Sequence, residues 1–110
     1  MKRITKDYLE LTPDPIRVPR GERVTILKWE TTPEWKGWIQ CRTSDGKVGW
    51  ISESYLAISG DSAVLNKDYD AVDVLVRVGD LVEVLRTDNG WSWIKKADGV
   101  EGWIPTQYHN

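Results

Sequence analysis

Phenylalanine is absent from this 110-residue chain, and cysteine and histidine occur once each. A lone cysteine, Cys41, closes no internal disulfide and builds no zinc site. It falls in an apolar strand pattern with Trp38 and Ile39, where a buried, inert thiol is expected. His109 is the penultimate residue and is expected to be mobile. One thiol and one imidazole far apart are thin material for a nucleophile–base pair. No phosphate-cradling glycine loop, metal cluster or paired carboxylate stands out, so no catalytic residue, metal or cofactor is assigned. Long apolar runs are missing too: none approaches the roughly 18 residues of a membrane span. The basic start, Met1 to Asp7, leads into polar sequence and lacks a secretory apolar stretch, so a cytoplasmic protein without a membrane partner is expected. A surplus of positive charge is also lacking. The net charge of −2 and an isoelectric point near 5.4 oppose a phosphate backbone, and no nucleic-acid partner is expected.

What is present is aromatic: seven Trp and four Tyr. Both types join an apolar body to a polar edge that suits interfaces, so a chain this small is expected to display some of them. They recur in order. Lys6-Asp7-Tyr8 matches Lys67-Asp68-Tyr69, and the stretch Ile16–Leu27 matches Val74–Leu85. Gly37-Trp38-Ile39 is aligned with Ser92-Trp93-Ile94, and Gly49-Trp50-Ile51-Ser52-Glu53-Ser54-Tyr55 with Gly102-Trp103-Ile104-Pro105-Thr106-Gln107-Tyr108. The offsets fall from 61 to 58, 55 and 53, with each drop between strand-like runs, where loops tolerate length changes. The chain is a duplication. Ser59-Gly60-Asp61-Ser62 reads as a short flexible linker, which divides the chain into 1–58 and 63–110. The charge then splits unevenly, +2 over 1–58 and −4 over 59–110.

The local pattern is all-β. Val76 and Val78, and Val82 and Val84, alternate at period 2, as a half-buried strand requires. Asp45-Gly46 and Asp98-Gly99 sit between strand-like runs and signal hairpins, and Asp88-Asn89-Gly90 is a further turn. Helix is confined to single turns at Ser52–Tyr55 and Pro105–Tyr108. Several short strands with frequent turns indicate a small barrel or sandwich.

This order of features resembles the SH3 family in a bacterial-like, variant form: an Asp-Tyr opening, a loop, a strand before Gly-Asp/Glu, a Trp-bearing strand, an Asp-Gly hairpin and a closing Gly-Trp-Ile-Pro-x-x-Tyr. The resemblance implies two small SH3-like β-barrels in tandem, joined by a short linker. It also implies a binding module for an extended protein or peptide ligand, Pro-rich or basic, gripped by flat aromatic walls. In the second copy those walls would be Tyr69, Trp91, Trp103, Pro105 and Tyr108, with Asp70 and Asp73 to pair with a ligand base. In the first they would be Tyr8, Trp50 and Tyr55, with Trp35 taking the part of Trp91. Lys6 and Lys67 stand where the family usually has a further tyrosine, and Ser52 replaces the groove proline. Trp38 and Trp93 are expected to be structural. Trp50 and Trp103, which alternate with the core Ile51 and Ile104, are expected on the outer face. Two other readings stay open: targeting of cell-wall peptides, and self-assembly through exposed aromatics. The sequence is silent on oligomeric state.

Overall fold

The computed structural model describes all residues, Met1–Asn110. It is all-β, with eleven strands: β1 (Lys2–Arg3), β2 (Arg17–Val18), β3 (Arg23–Trp29), β4 (Trp38–Arg42), β5 (Val48–Ser52), β6 (Leu56–Ser59), β7 (Ser62–Leu65), β8 (Tyr69–Asp70), β9 (Leu81–Asp88), β10 (Trp91–Lys96) and β11 (Glu101–Pro105). Three single 3-10 turns, Pro33–Trp35, Glu53–Tyr55 and Thr106–Tyr108, complete the elements.

The chain forms two compact units that do not follow the linear division at Ser59–Ser62. One is continuous, Asp14–Ala71; the other is composite, joining Met1–Pro13 to Val72–Asn110. The four residues expected as a linker are a hairpin corner: β6 runs into β7 with Ser59 opposite Ser62. Gly60 takes φ 64° while Asp61 does not cross to positive φ, the pattern of a II′ hairpin, whose twist suits antiparallel strands. So tight a corner leaves the following segment no slack. It pairs back, burying Ala63 and Leu65 at period 2, and β7 enters the sheet between β3 and β6.

The continuous unit holds a five-stranded sheet in the order β5-β4-β3-β7-β6 and the short pair β2-β8. Its buried side chains are chiefly Ile16, Val18, Val24, Ile39, Cys41, Ile51, Leu65 and Tyr69. Cys41 is fully buried, and desolvation pushes its thiol up to about 11. Almost no thiolate is therefore present near neutral pH. Ellman's reagent at pH 8 is expected to leave the native protein unlabelled and to react fully in denaturant; fast labelling of the native protein would contradict this burial.

The composite unit holds the sheet β1-β9-β10-β11. Its core joins Ile4 and Tyr8 to Val74, Val76, Val82, Ile94 and Ile104. Tyr8 and Val76 exchange backbone hydrogen bonds of 2.9 and 3.0 Å, and the Ile4 amide donates to Asp80 O at 2.8 Å. His109, expected to be mobile, is held. It bridges Ile4, and its Nε2 lies 2.9 Å from Oγ of Ser92, a fully buried hydroxyl that requires partners.

The two units repeat one frame. Leu27 in β3 and Leu85 in β9 are each the extra residue of a β-bulge, skipped between Ile26 and Lys28 and between Val84 and Arg86. Gly21 and Gly79 both turn at φ above 90°. Asp68 accepts the Arg20 amide at 2.8 Å, and Asp7 accepts the Val78 amide at 2.7 Å. The Asp of each Lys-Asp-Tyr thus pins the turn of the strand pair that it serves. Backbone pairing does not close either large sheet into a barrel. In the continuous unit a 3-10 turn, Glu53–Tyr55, carries the chain from β5 to β6 without a ladder between them. In the composite unit the seams are the single bridges Ile4↔His109 and Asp73↔Trp103.

Candidate peptide-binding shelf

The duplicated aromatics are sorted by strand register. Ile51 faces Ile39 across β4-β5, whereas Ile104 faces Ser92 across β10-β11. With Ile51 and Ile104 equivalent, Trp38 stands at the position of Trp91, and Gln40 at that of Trp93. The bulges agree, since Cys41 opposes Ile26 as Ile94 opposes Val84. This corrects the alignment of Trp38 with Trp93. The offset falls once, from 58 at Leu27/Leu85 to 53 at Gly37/Gly90, so a single five-residue insertion in the β3–β4 loop accounts for it. Trp35, expected to match Trp91, lies in that insertion, in the 3-10 turn Pro33–Trp35, and is 37% exposed.

The opening tyrosines are exchanged between the copies. Tyr8 belongs to the composite unit, where its ring meets Trp91 edge-on at 6.0 Å and Tyr108 at 5.7 Å, with interplanar angles of 78° and 82°. Pro105 is opposite Trp91 in the β10-β11 register. Tyr8, Trp91, Pro105 and Tyr108 therefore form one cluster, in which Tyr8 and Pro105 are buried and the half-buried Trp91 and Tyr108 make the shelf's accessible part. Tyr69, expected on this shelf, serves the continuous unit. It packs against Tyr55 at 4.9 Å and donates from its hydroxyl to Trp50 O at 2.9 Å. Asp70 goes with it and pairs with Arg17 at 3.3 Å, on the exposed side of β2-β8. Asp73, by contrast, lies in the unit of Trp91.

Asp73 accepts from the Thr12 amide at 3.1 Å and the Thr12 hydroxyl at 2.8 Å. Burial holds its carboxyl above the usual range despite those bonds, and Glu10 adds to the rise. The Tyr8 phenol is likewise pushed far up, mainly by burial and next by the Asp73 and Glu10 carboxylates. Negative charge is thus gathered at the hydroxyl end of Tyr8. Thr12, absent from the expected site, and Glu10, a candidate acid for the first copy, arrive with the same segment as Tyr8; the exchange of that segment brings them into the unit of Trp91 and Tyr108. Regrouped by unit, the charge asymmetry of the two halves disappears. The composite unit has seven basic and eight acidic side chains, and the continuous unit eight and nine.

Trp103 and Trp50 form a different layer. Trp103 is only 4% exposed and meets Trp93 edge-on at 5.3 Å, with the Arg86 guanidinium 4.8 Å from the Trp93 ring and 5.6 Å from the Trp103 ring. Trp93 Nε1 donates to Glu101 at 2.8 Å. At the equivalent place Lys28 lies 5.9 Å from the Trp50 ring. Period 2 does turn these tryptophans away from Ile51 and Ile104, but basic side chains reach them from the strand next but one, Lys28 from β3 and Arg86 from β9, and Trp103 offers no wall. In the continuous unit the counterparts of the shelf are Tyr69, Trp38, Ser52 and Tyr55, which are 6%, 9%, 1% and 3% exposed. That surface is closed.

An aromatic shelf of two tyrosines, a tryptophan and a proline, on a bulged antiparallel frame that occurs twice in the chain, has a counterpart among known families. The variant SH3 domain family matches residues 3–59 and 75–109. The chain belongs to that family. It is accordingly a protein-interaction module. The second match begins at Leu75, beyond Tyr69. This SH3-family chain is similar to Intersectin-2 of Mus musculus, 23% identical over a 121-residue alignment that covers 96% of this chain and 7% of that protein. It is also similar to Myosin-1 of Laccaria bicolor (strain S238N-H82 / ATCC MYA-4686), 46% identical over 37 residues, 33% of this chain and 3% of that protein. The chain spans less than a tenth of either relative. No solved structure matches it.

Proposed function

We propose that the protein is a non-enzymatic, peptide-binding SH3 module whose ligand surface is the composite unit's shelf, each unit being one SH3-like domain with an exchanged opening. The observation that carries this is the edge-on meeting of Tyr8 with both Trp91 and Tyr108, beside Pro105. Flat, rigid rings of this kind accept an extended peptide at little entropic cost, because a polyproline II segment is already ordered. Asp73 and Glu10, which bear on the Tyr8 phenol, favour a ligand with a basic residue at that end. The closed aromatics of the continuous unit support a scaffolding role for it.

Titration with an arginine-flanked, proline-rich synthetic peptide, followed by tryptophan fluorescence and backbone NMR shifts, tests the reading. Trp91→Ala is expected to weaken binding by about tenfold or more, in line with a partly buried aromatic hot spot. Trp103→Ala, in a variant shown to remain folded, should change affinity less than about twofold. Shifts centred on Tyr55 and Tyr69 instead, or binding insensitive to Trp91→Ala, would refute the site.

A further inference from the structure

Each Lys-Asp-Tyr opening sets its lysine over a tyrosine. Lys6 Nζ lies 4.8 Å from the ring centre of Tyr108, and Lys67 Nζ lies 4.3 Å from that of Tyr55. Neither ammonium has a carboxylate at ion-pair distance; the pairs present are Arg17–Asp70 and Lys47–Asp14. The contact with the ring face holds the cation in place, and an ammonium has three donors, which here meet no protein acceptor. The two lysines differ in what they cover. Tyr55 is 3% exposed and its neighbours are closed, whereas Tyr108 is half-buried and continues into Tyr8 and Trp91. Lys6 therefore borders the accessible part of the shelf, Tyr108 and Trp91, with a positive charge that no carboxylate pairs. The two signs of charge bear on different rings: Lys6 on Tyr108, Asp73 and Glu10 on Tyr8.

We infer that Lys6 is a specificity-determining residue, and that the shelf selects an extended peptide with an Asp or Glu carboxylate beside the apolar residue seated on Tyr108. This rests on the shelf being the ligand surface. A fourth aromatic at position 6 would offer another flat wall for proline; the lysine instead gives that end of the trough a charge to be met. The preferred ligand is then bipolar, with its base toward Asp73 and Glu10 and its acid toward Lys6.

The test uses the full chain and pairs of proline-containing, arginine-flanked peptides that differ only by Glu or Gln, placed in turn at each position after the prolines. Affinity is read by tryptophan fluorescence or calorimetry. One Glu peptide is expected to bind about threefold tighter than its Gln partner at low salt, the scale of an exposed ion pair, and the gain should fade in about 0.5 M salt. Lys6→Gln should bring the ratio to one, Lys6→Glu should invert it, and Lys67→Gln should leave it intact. Glu and Gln peptides that bind equally at every position, or a preference that survives Lys6→Gln, would overturn this inference alone. Failure of every peptide to bind would overturn the shelf as well.

Discussion

Removal of residues 1–13 is expected to unfold the composite unit while residues 14–71 stay structured. The segment supplies Ile4, fully buried, and Tyr8, 9% exposed, to the core. It also supplies β1 and the backbone bonds from Ile4 and Tyr8 to Asp80 and Val76. Truncating one such buried side chain costs about 2–5 kcal/mol, and a whole domain commonly has only about 5–15 kcal/mol. Losing both side chains with their strand removes the margin. Tyr69 cannot step in, because the Gly60 corner ties β7 to β6. Amide hydrogen exchange should show Val82, Ile94 and Ile104 unprotected and Val24, Ile39 and Ile51 still protected. A synthetic 1–13 peptide added in trans should restore the first group. Native NMR dispersion of residues 72–110 without either segment would disprove the exchanged arrangement.

Gly102→Ala is expected to destabilise the composite unit by about 2–3 kcal/mol, the upper part of the range for overpacking. A Cβ there would lie 3.0 Å from Val74 Cβ and 3.1 Å from both the Asp73 carbonyl carbon and the Val72 carbonyl oxygen. Two of those three atoms are backbone, and Val72 O also accepts the Trp103 amide at 2.9 Å, so they yield only by breaking the seam. Gly49→Ala, at the equivalent place, meets only the side chain of Ile16, at 2.8 to 3.2 Å. That chain can turn, although in a tight core, and about 1–2 kcal/mol is expected. Neither glycine has positive φ, so sterics alone decide the cost. Urea unfolding followed by protection of Ile104 and of Ile51 separates the two. A smaller loss for Gly102→Ala than for Gly49→Ala would contradict the close approach of residues 72–73 to β11.

Much of this architecture was legible in the residues. The all-β pattern, the duplication, the Asp-Gly hairpins and the single turns before Tyr55 and Tyr108 all follow from periodicity and turn chemistry. The exchange was not, because Lys6-Asp7-Tyr8 and Lys67-Asp68-Tyr69 are chemically identical and each fits either frame. The one discriminating signal was Gly60: glycine first in a two-residue corner between apolar runs specifies a hairpin, whereas composition alone suggests a linker. The register of the tryptophans was obscured by the repeated Trp-Ile of Trp38-Ile39 and Trp93-Ile94. The Gly-Trp steps at Gly37 and Gly90, both at positive φ, mark the true equivalence. The basic side chains over Trp50 and Trp103 come from β3 and β9, two strands away in each sheet, and no local pattern reports that.

The interleaved build also imposes an order of assembly. Residues 14–71 have all their partners nearby and can pair as soon as they are made. The shelf must wait for contacts as remote as that of Arg3 N with Asn110 Oδ1, 107 positions apart at 2.8 Å. Remote pairings slow folding because closure entropy is spent before the contacts form. A nascent chain thus carries Tyr8 undocked until β9 to β11 emerge, and the cluster of Tyr8, Trp91 and Tyr108 is completed late, when residues 1–13 meet residues 72–110.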